Sequence, residues 1–305
     1  MIDFSRASKE TKELFEDVSD LNFLFLQLQF KVDLQERESV IIFDEVQLCP
    51  AARHAIKALV EDRRYDYIET NNFRKVDEIK RDILNLYESD FAKIDPTGRL
   101  AMLFDAIPAQ LNKNAARYQT SSVLNGERQD KILELIAELK DSKTVLAAYN
   151  TNDPDAGMAN TKDLSRFKLF LNDTGLFVTL MFKDKDFTEN EIYQKLLNDK
   201  LSVNLGYLYE NIVAQCLAAN GNELFYHTIM NQNSKHNYEI DFILARKNKI
   251  VPIEIKSSGY KTHKSLDVFC DKFSNRIHDK YVVHTKDYKW ENGIHYIPVY
   301  MVPFL

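Results

Sequence analysis

The first 97 residues contain no glycine; the first of the eight in this 305-residue chain is Gly98. Loops that cradle phosphate need glycine where the backbone turns tightly and approaches the ligand. Neither G-x-x-x-x-G-K-[ST] nor G-x-G-x-x-G therefore lies before Gly98, which excludes the commonest nucleotide-binding loops there. The same stretch nevertheless holds Val40-Ile41-Ile42-Phe43, the β-branched and aromatic composition of a strand buried on both faces of a parallel sheet. That run ends in Asp44-Glu45. Helical spacing of Leu14, Val18, Leu21, Phe25 and Leu28 predicts helix over 8–32, and Pro50 suits the first position of a helix through "AARHAIKALVEDRR". "YDYIET" predicts the start of a further strand.

At 305 residues, two domains are expected, with three small ones as the alternative. From about 72 to 145 the pattern is helical, with segments separated by Gly98, Pro108 and Asn125-Gly126, and "ERQDKILELIAELKDSKTVLAAY" reads as one of them. After the polar connector "NTNDPDAGMANTKD", "RFKLFLNDTGLFVTLMF" reads as strand and 189–198 as a short helix. The region 72–200 thus predicts a small helical domain with a hairpin in the winged-helix manner. Beyond it the order changes to helix "GYLYENIVAQCLAANG", strands "ELFYHTI", "NYEIDFILAR" and "KIVPIEIKSS", helix "HKSLDVFCDKF", strand "KYVVHT" and a last strand-like "GIHYIPVYMVPFL". This predicts an α/β domain with a mixed sheet.

Cys49, Cys216 and Cys270 form no C-x-x-C pair, which argues against a disulfide framework or thiolate zinc site and predicts a reducing compartment. No apolar run approaches transmembrane length and the N-terminus is too charged for a signal peptide, so a cytoplasmic protein without a membrane partner is expected. The net charge of −6 is uneven: residues 203–305 carry 12 Lys and Arg against 10 Asp and Glu, and the rest 28 against 36. A polyanion such as DNA is better sought at the mildly basic end. Six of the seven histidines lie there too, but none forms an i, i+4 zinc pair. Tyr207, Tyr209 and Tyr226 suit base stacking or, more commonly, core packing.

The strongest chemical signal is in the last domain. Asp241 closes the alternation Tyr238-Glu239-Ile240-Asp241, and 13 residues on, Ile253-Glu254-Ile255-Lys256 puts Glu254 and Lys256 on one face of a strand. Phosphodiester hydrolysis needs carboxylates to hold one or two Mg²⁺ ions and a cation near the attacking water or developing charge. Residues 203–285 in this respect resemble the PD-(D/E)XK restriction-endonuclease-like core. The resemblance implies that Asp241 and Glu254 bind Mg²⁺, that Lys256 orients water or stabilises charge, and that Glu210 on the first helix assists the metal. Gln215 and Ser257 flank the motif. An isolated E-x-K is more often a ladder of surface ions, and only the accompanying Asp241 and Glu210 raise it above that.

Asp44-Glu45 after a buried strand looks like a Walker B motif, in which Asp helps to hold nucleotide-bound Mg²⁺ and Glu polarises water. An acidic turn gives the same pattern, but the string "DEVQLCP" is more specific. Together with the helical middle, "YNTNDP" and "FKLFLNDTGLF", and the E-x-K domain, it resembles bacterial and archaeal AAA-type ATPases carrying a nuclease-like C-terminal domain of unknown function. The likeness runs from about 38 to 300. No P-loop precedes Asp44, and "YDYIET" passes straight into a long helix where that family has further sheet strands. The resemblance therefore implies an α/β multi-domain remnant: 1–70 a partial ATPase sheet with a Walker B strand, 72–200 a helical, winged-helix-like middle domain, and 203–305 a mixed-sheet nuclease-like α/β domain. ATP would be a ligand by resemblance only, with no hydrolysis expected. The alternatives are a non-catalytic module binding nucleic acid or protein, with an intact ATPase paralogue as one such partner, and a decayed gene product.

Overall fold

The computed structural model describes residues 1–31, 34–69, 73–113, 116–184, 206–232, 234, 237–257 and 259–305. These fall into two compact units, residues 1–79 and residues 80–184 with 206–305.

In the first unit β1 (Ile2–Asp3), β2 (Val40–Asp44) and β3 (Asp66–Glu69) form a parallel sheet with β2 in the middle. Ile41 and Phe43 are buried, Ile42 is half-buried and Val40 is exposed. The burial expected on both faces is thus found on one. On that face the Phe43 ring lies 5.7 Å from Phe4 and 5.4 Å from Phe15, with Leu24, Leu28, Ala55 and Leu59 completing the core. The single helix expected over 8–32 is two, Lys9–Glu13 and Leu21–Gln29. The reason is local: the Asp20 carboxylate accepts the amides of Asn22 and Phe23 and starts a new helix. The helix Pro50–Asp62 begins at proline as expected, and Arg63 ends it at φ 61°.

The second unit is built on a mixed sheet ordered β5-β4-β6-β7-β8-β9-β11-β10. Its strands are β4 (Val145–Thr151), β5 (Lys162–Leu171), β6 (Phe225–Ile229), β7 (Tyr238–Arg246), β8 (Lys249–Ile255), β9 (Tyr281–His284), β10 (Lys289–Glu291) and β11 (Ile294–Pro298). β4 runs antiparallel to β5 and parallel to β6, joined to β6 at Tyr149–Phe225 and Asn150–Tyr226. β6, β7 and β8 are antiparallel neighbours, while β8, β9 and β11 are parallel. The β4–β5 hairpin from the expected middle region thus shares one sheet with the strands after 203.

Helices Gln129–Asp141, Arg99–Asp105 and Ile107–Asn112 contribute Leu135, Leu139, Leu103, Phe104 and Ile107 to the core, joined by Leu84 and Phe91 from helix Phe73–Ile94. Two sequence readings change here. "VLAAY" is β4 and not helix, because the helix before it ends at Asp141. "RFKLFLNDTGLFVTLMF" is strand only to Leu171, after which Asp173 caps the helix Thr174–Met181 by accepting the Leu176 amide at 2.7 Å. That helix is buried almost all round and shows no polar face, so periodicity cannot reveal it. The helix expected at 189–198 lies outside the described residues. Of the final strand-like segment, Ile294–Pro298 is strand and Val299–Phe304 is a 3₁₀ helix.

Candidate functional site

Four carboxylates and two lysines meet near the parting of β7 and β8. The registered ladder between these strands ends at Phe242 opposite Ile253. Just beyond it, Asp241 Oδ2 accepts the Ile255 amide at 2.6 Å, so a side chain takes over where backbone pairing stops. Glu254 Oε1 accepts from Lys256 Nζ at 2.8 Å, which confirms that this spacing of two shares a face. The Glu254 side chain is only 5% exposed, and its Oε2 has no hydrogen-bond partner among the described residues.

The remaining members come from other elements. Helix Gly206–Ala219 supplies Glu210, and Glu239 stands two before Asp241 on β7. Lys168, from the buried half of β5, reaches both: its Nζ lies 2.6 Å from Glu239 Oε1 and 3.5 Å from Glu210 Oε2, with the side chain 8% exposed. Two devices fix β5 there. Phe170 packs against Phe242 at 5.6 Å. Asn211, one residue after Glu210, accepts the Leu171 amide at 2.9 Å and donates to the Leu171 carbonyl at 3.1 Å.

Burial and crowding set the charges. Burial pushes the Asp241 carboxyl well above the usual carboxylate range, and Glu254 and Glu210 push it further against the pull of Lys168. Glu254 is raised by burial despite Lys256, and Glu210 by burial despite Lys168. Burial alone would lower the Lys168 ammonium, but Glu210, Glu239 and Asp241 outweigh it and hold the group well above its usual value. Lys256 is likewise held up, by Glu254 against its own burial. Such mutual perturbation in one place is characteristic of functional sites.

The donors are oxygens, the chemistry of a hard divalent cation. Among the described residues no group of three or more His, Cys, Asp or Glu side chains surrounds a single cation position. Mg²⁺ commonly binds through one or two carboxylates and keeps its remaining waters. Asp241 and Glu254, the latter with a buried Oε2 that has no hydrogen-bond partner among the described residues, offer the oxygens that mode would use.

The structure thus brings Asp241, Glu254, Lys256 and Glu210 together and adds Lys168 and Glu239. Glu239 had a signal in the sequence, since it shares a strand face with Asp241. Lys168 had none, lying 71 residues from Glu239 and 42 from Glu210. Asp44 and Glu45 belong to the other unit: Asp44 is the buried last residue of β2, its Oδ1 accepts the Glu45 amide at 3.1 Å, and Glu45 takes φ 54°. Gln215 accepts from the amide and hydroxyl of Thr174, a structural duty. Tyr207 and Tyr226 are buried, and the Tyr226 hydroxyl donates to the Ala116 carbonyl, so both are core rather than stacking platforms. No described helix is long and apolar enough to cross a membrane.

No curated protein sequence matches the chain. Among solved structures, the crystal structure of protein VC1899 from Vibrio cholerae is similar at 12% identity over 98% of this chain and 80% of that one; its TM-score of 0.23 carries no argument about fold. Residues 64–186 match a domain of unknown function, DUF8612. The large sheet therefore takes β4 and β5 from that matched range and β6 to β11 from the next. Residues 205–302, which hold Glu210, Glu239, Asp241, Glu254 and Lys256, match a second domain of unknown function, DUF4143, a domain found in AAA-ATPase-associated proteins.

Proposed function

We propose that the second unit is a nuclease-like module of PD-(D/E)XK type, which binds nucleic acid and cleaves phosphodiesters with the help of a divalent ion, within a remnant of an AAA-type ATPase. The observation that carries this reading is the buried Glu254 Oε2, unpartnered beside Asp241 while Lys256 holds the other oxygen. Asp241 and Glu254 would hold Mg²⁺, which when bound supplies charge neutralisation at phosphate and a more acidic water. Lys256, the most exposed of the cluster's two lysines at 28%, is the group positioned to donate to a phosphate oxygen or to an attacking water. Glu254 keeps that ammonium charged and oriented.

The test is plasmid cleavage with Mg²⁺ or Mn²⁺ by the full chain, Glu254→Ala and Lys256→Ala. Cleavage by the wild type alone is expected; identical nicking by all three would sink the catalytic claim. ATP turnover is not part of the proposal, and ATP binding is expected to be weak at best. A titration giving micromolar ATP affinity with Mg²⁺ would overturn that.

A non-catalytic module is the second reading, and one observation favours it: Glu210 and Glu239 are already engaged by Lys168. DNA affinity that falls steeply with salt, without cleavage, is its expected signature.

A further inference from the structure

Lys168 has no place in the motif from which the site was read, yet it is the most buried charge-bearing lysine of the cluster. It sits on β5 between Phe167 and Leu169, both buried, and its ammonium lies 5.5 Å from the centre of the Tyr226 ring. Burying an ammonium is costly unless partners compensate, and the fold supplies two carboxylates for it. The cluster then separates into halves. Lys168 faces Glu210 and Glu239; Lys256 faces Glu254, next to Asp241. With every group ionised, two ammonium groups against four carboxylates leave two negative charges, the charge of one divalent ion. By this count each half keeps one negative charge, and of the four carboxylates only Glu254, in the half with Asp241, has a buried oxygen without a partner among the described residues.

We propose that Lys168 is a resident counter-ion that occupies the Glu210–Glu239 half of the site and so limits the site to one divalent ion, held by Asp241 and Glu254. The inference rests on the proposed metal-binding reading for the second half, but not for the first. Lys168 is a positioning residue: it keeps two acidic side chains from serving as metal ligands. Removing its charge opens a second cation position on Glu210 and Glu239, and removing one of those acids as well closes it again.

The experiment counts Mn²⁺ ions bound per full chain by electron paramagnetic resonance, for wild type, Lys168→Gln and the charge-matched pair Lys168→Gln with Glu239→Gln. Glutamine keeps an amide donor for Glu239, which favours folding. The expected counts are one, two and one. If wild type binds none and Lys168→Gln binds one, the inference stands and the metal reading at Asp241 and Glu254 fails. If wild type and Lys168→Gln both bind one with equal affinity, the reading stands and the inference is overturned. No binding by either defeats both. Should Lys168→Gln lose its fold in EDTA, recovery of its circular dichroism with Mn²⁺ is expected, and failure to recover while the charge-matched pair folds overturns the inference.

Discussion

Each unit carries acid where strand pairing ends, and the two places differ in what surrounds them. At the end of β2, Asp44 turns its carboxylate to the next residue's amide, and Glu45 enters the left-handed region. Where β7 and β8 part, Asp241 also accepts a nearby amide, but three further carboxylates crowd it and two lysines answer them. The first pair looks the more informative as a string, because "DEVQLCP" is longer than E-x-K. The second is the richer site, because several elements converge on it. Chemistry follows from charge brought together under burial, which a motif only hints at.

A buried carboxylate outside both places sharpens the contrast. Asp95, before helix Arg99–Asp105, accepts from Thr97 Oγ1 at 2.6 Å, from the Leu100 amide at 3.2 Å and from Arg99. Burial opposes its charge, yet these partners prevail and lower its pKa to about 2. Asp95 goes down with its partners; the crowded acids Asp241, Glu254 and Glu210 go up.

The comparison can be broken in four ways. The largest effect is expected from Phe43→Ala, which empties the aromatic centre of the first unit at a cost of about 3–5 kcal/mol. Chemical denaturation should show an early transition, while Mn²⁺ binding by the second unit persists; loss of both together would deny the units their separateness. Asn211→Ala comes next, since it strands the buried amide and carbonyl of Leu171 at about 3 kcal/mol. It should also loosen β5 and with it Lys168, so unchanged urea stability would refute the clamp.

Asp95→Asn should cost about 2 kcal/mol near neutral pH. Because the folded pKa is depressed, the wild-type contribution is full above the ordinary carboxylate range and is lost as pH falls toward about 2. The gap between wild type and variant should therefore close on acidification, and a constant gap from pH 7 to pH 3 would contradict the assignment. The smallest effect is expected from Asp44→Asn: no change in Mn²⁺ affinity, against a clear loss for Glu254→Gln. Equal losses would make the two strand ends equivalent after all.

Much of the second unit was legible. The strands β6 to β8, their flanking helices and the trio Asp241, Glu254 and Lys256 lie within one stretch whose alternation survives in the fold. Lys168 was not, because β5 meets β7 only through tertiary packing; and helix Thr174–Met181, buried almost all round, has no polar face to set it apart from the strand, leaving Asn172-Asp173 as the one local mark of the boundary. In the first unit, Val40-Ile41-Ile42-Phe43 gave the strand but overstated its burial. A run of apolar residues states what a strand can bury, and neighbours decide what it does bury.

The bond from Asp241 to the Ile255 amide has an evolutionary consequence. Selection for a folded sheet alone would retain an acceptor there, in lineages that cleave nucleic acid and in lineages that have stopped. Asp241 is therefore a poor witness to activity when relatives are compared. Glu254 and Lys256 hold chiefly each other, so if the proposed cleavage holds, it is at those two positions that its loss from a lineage would be read.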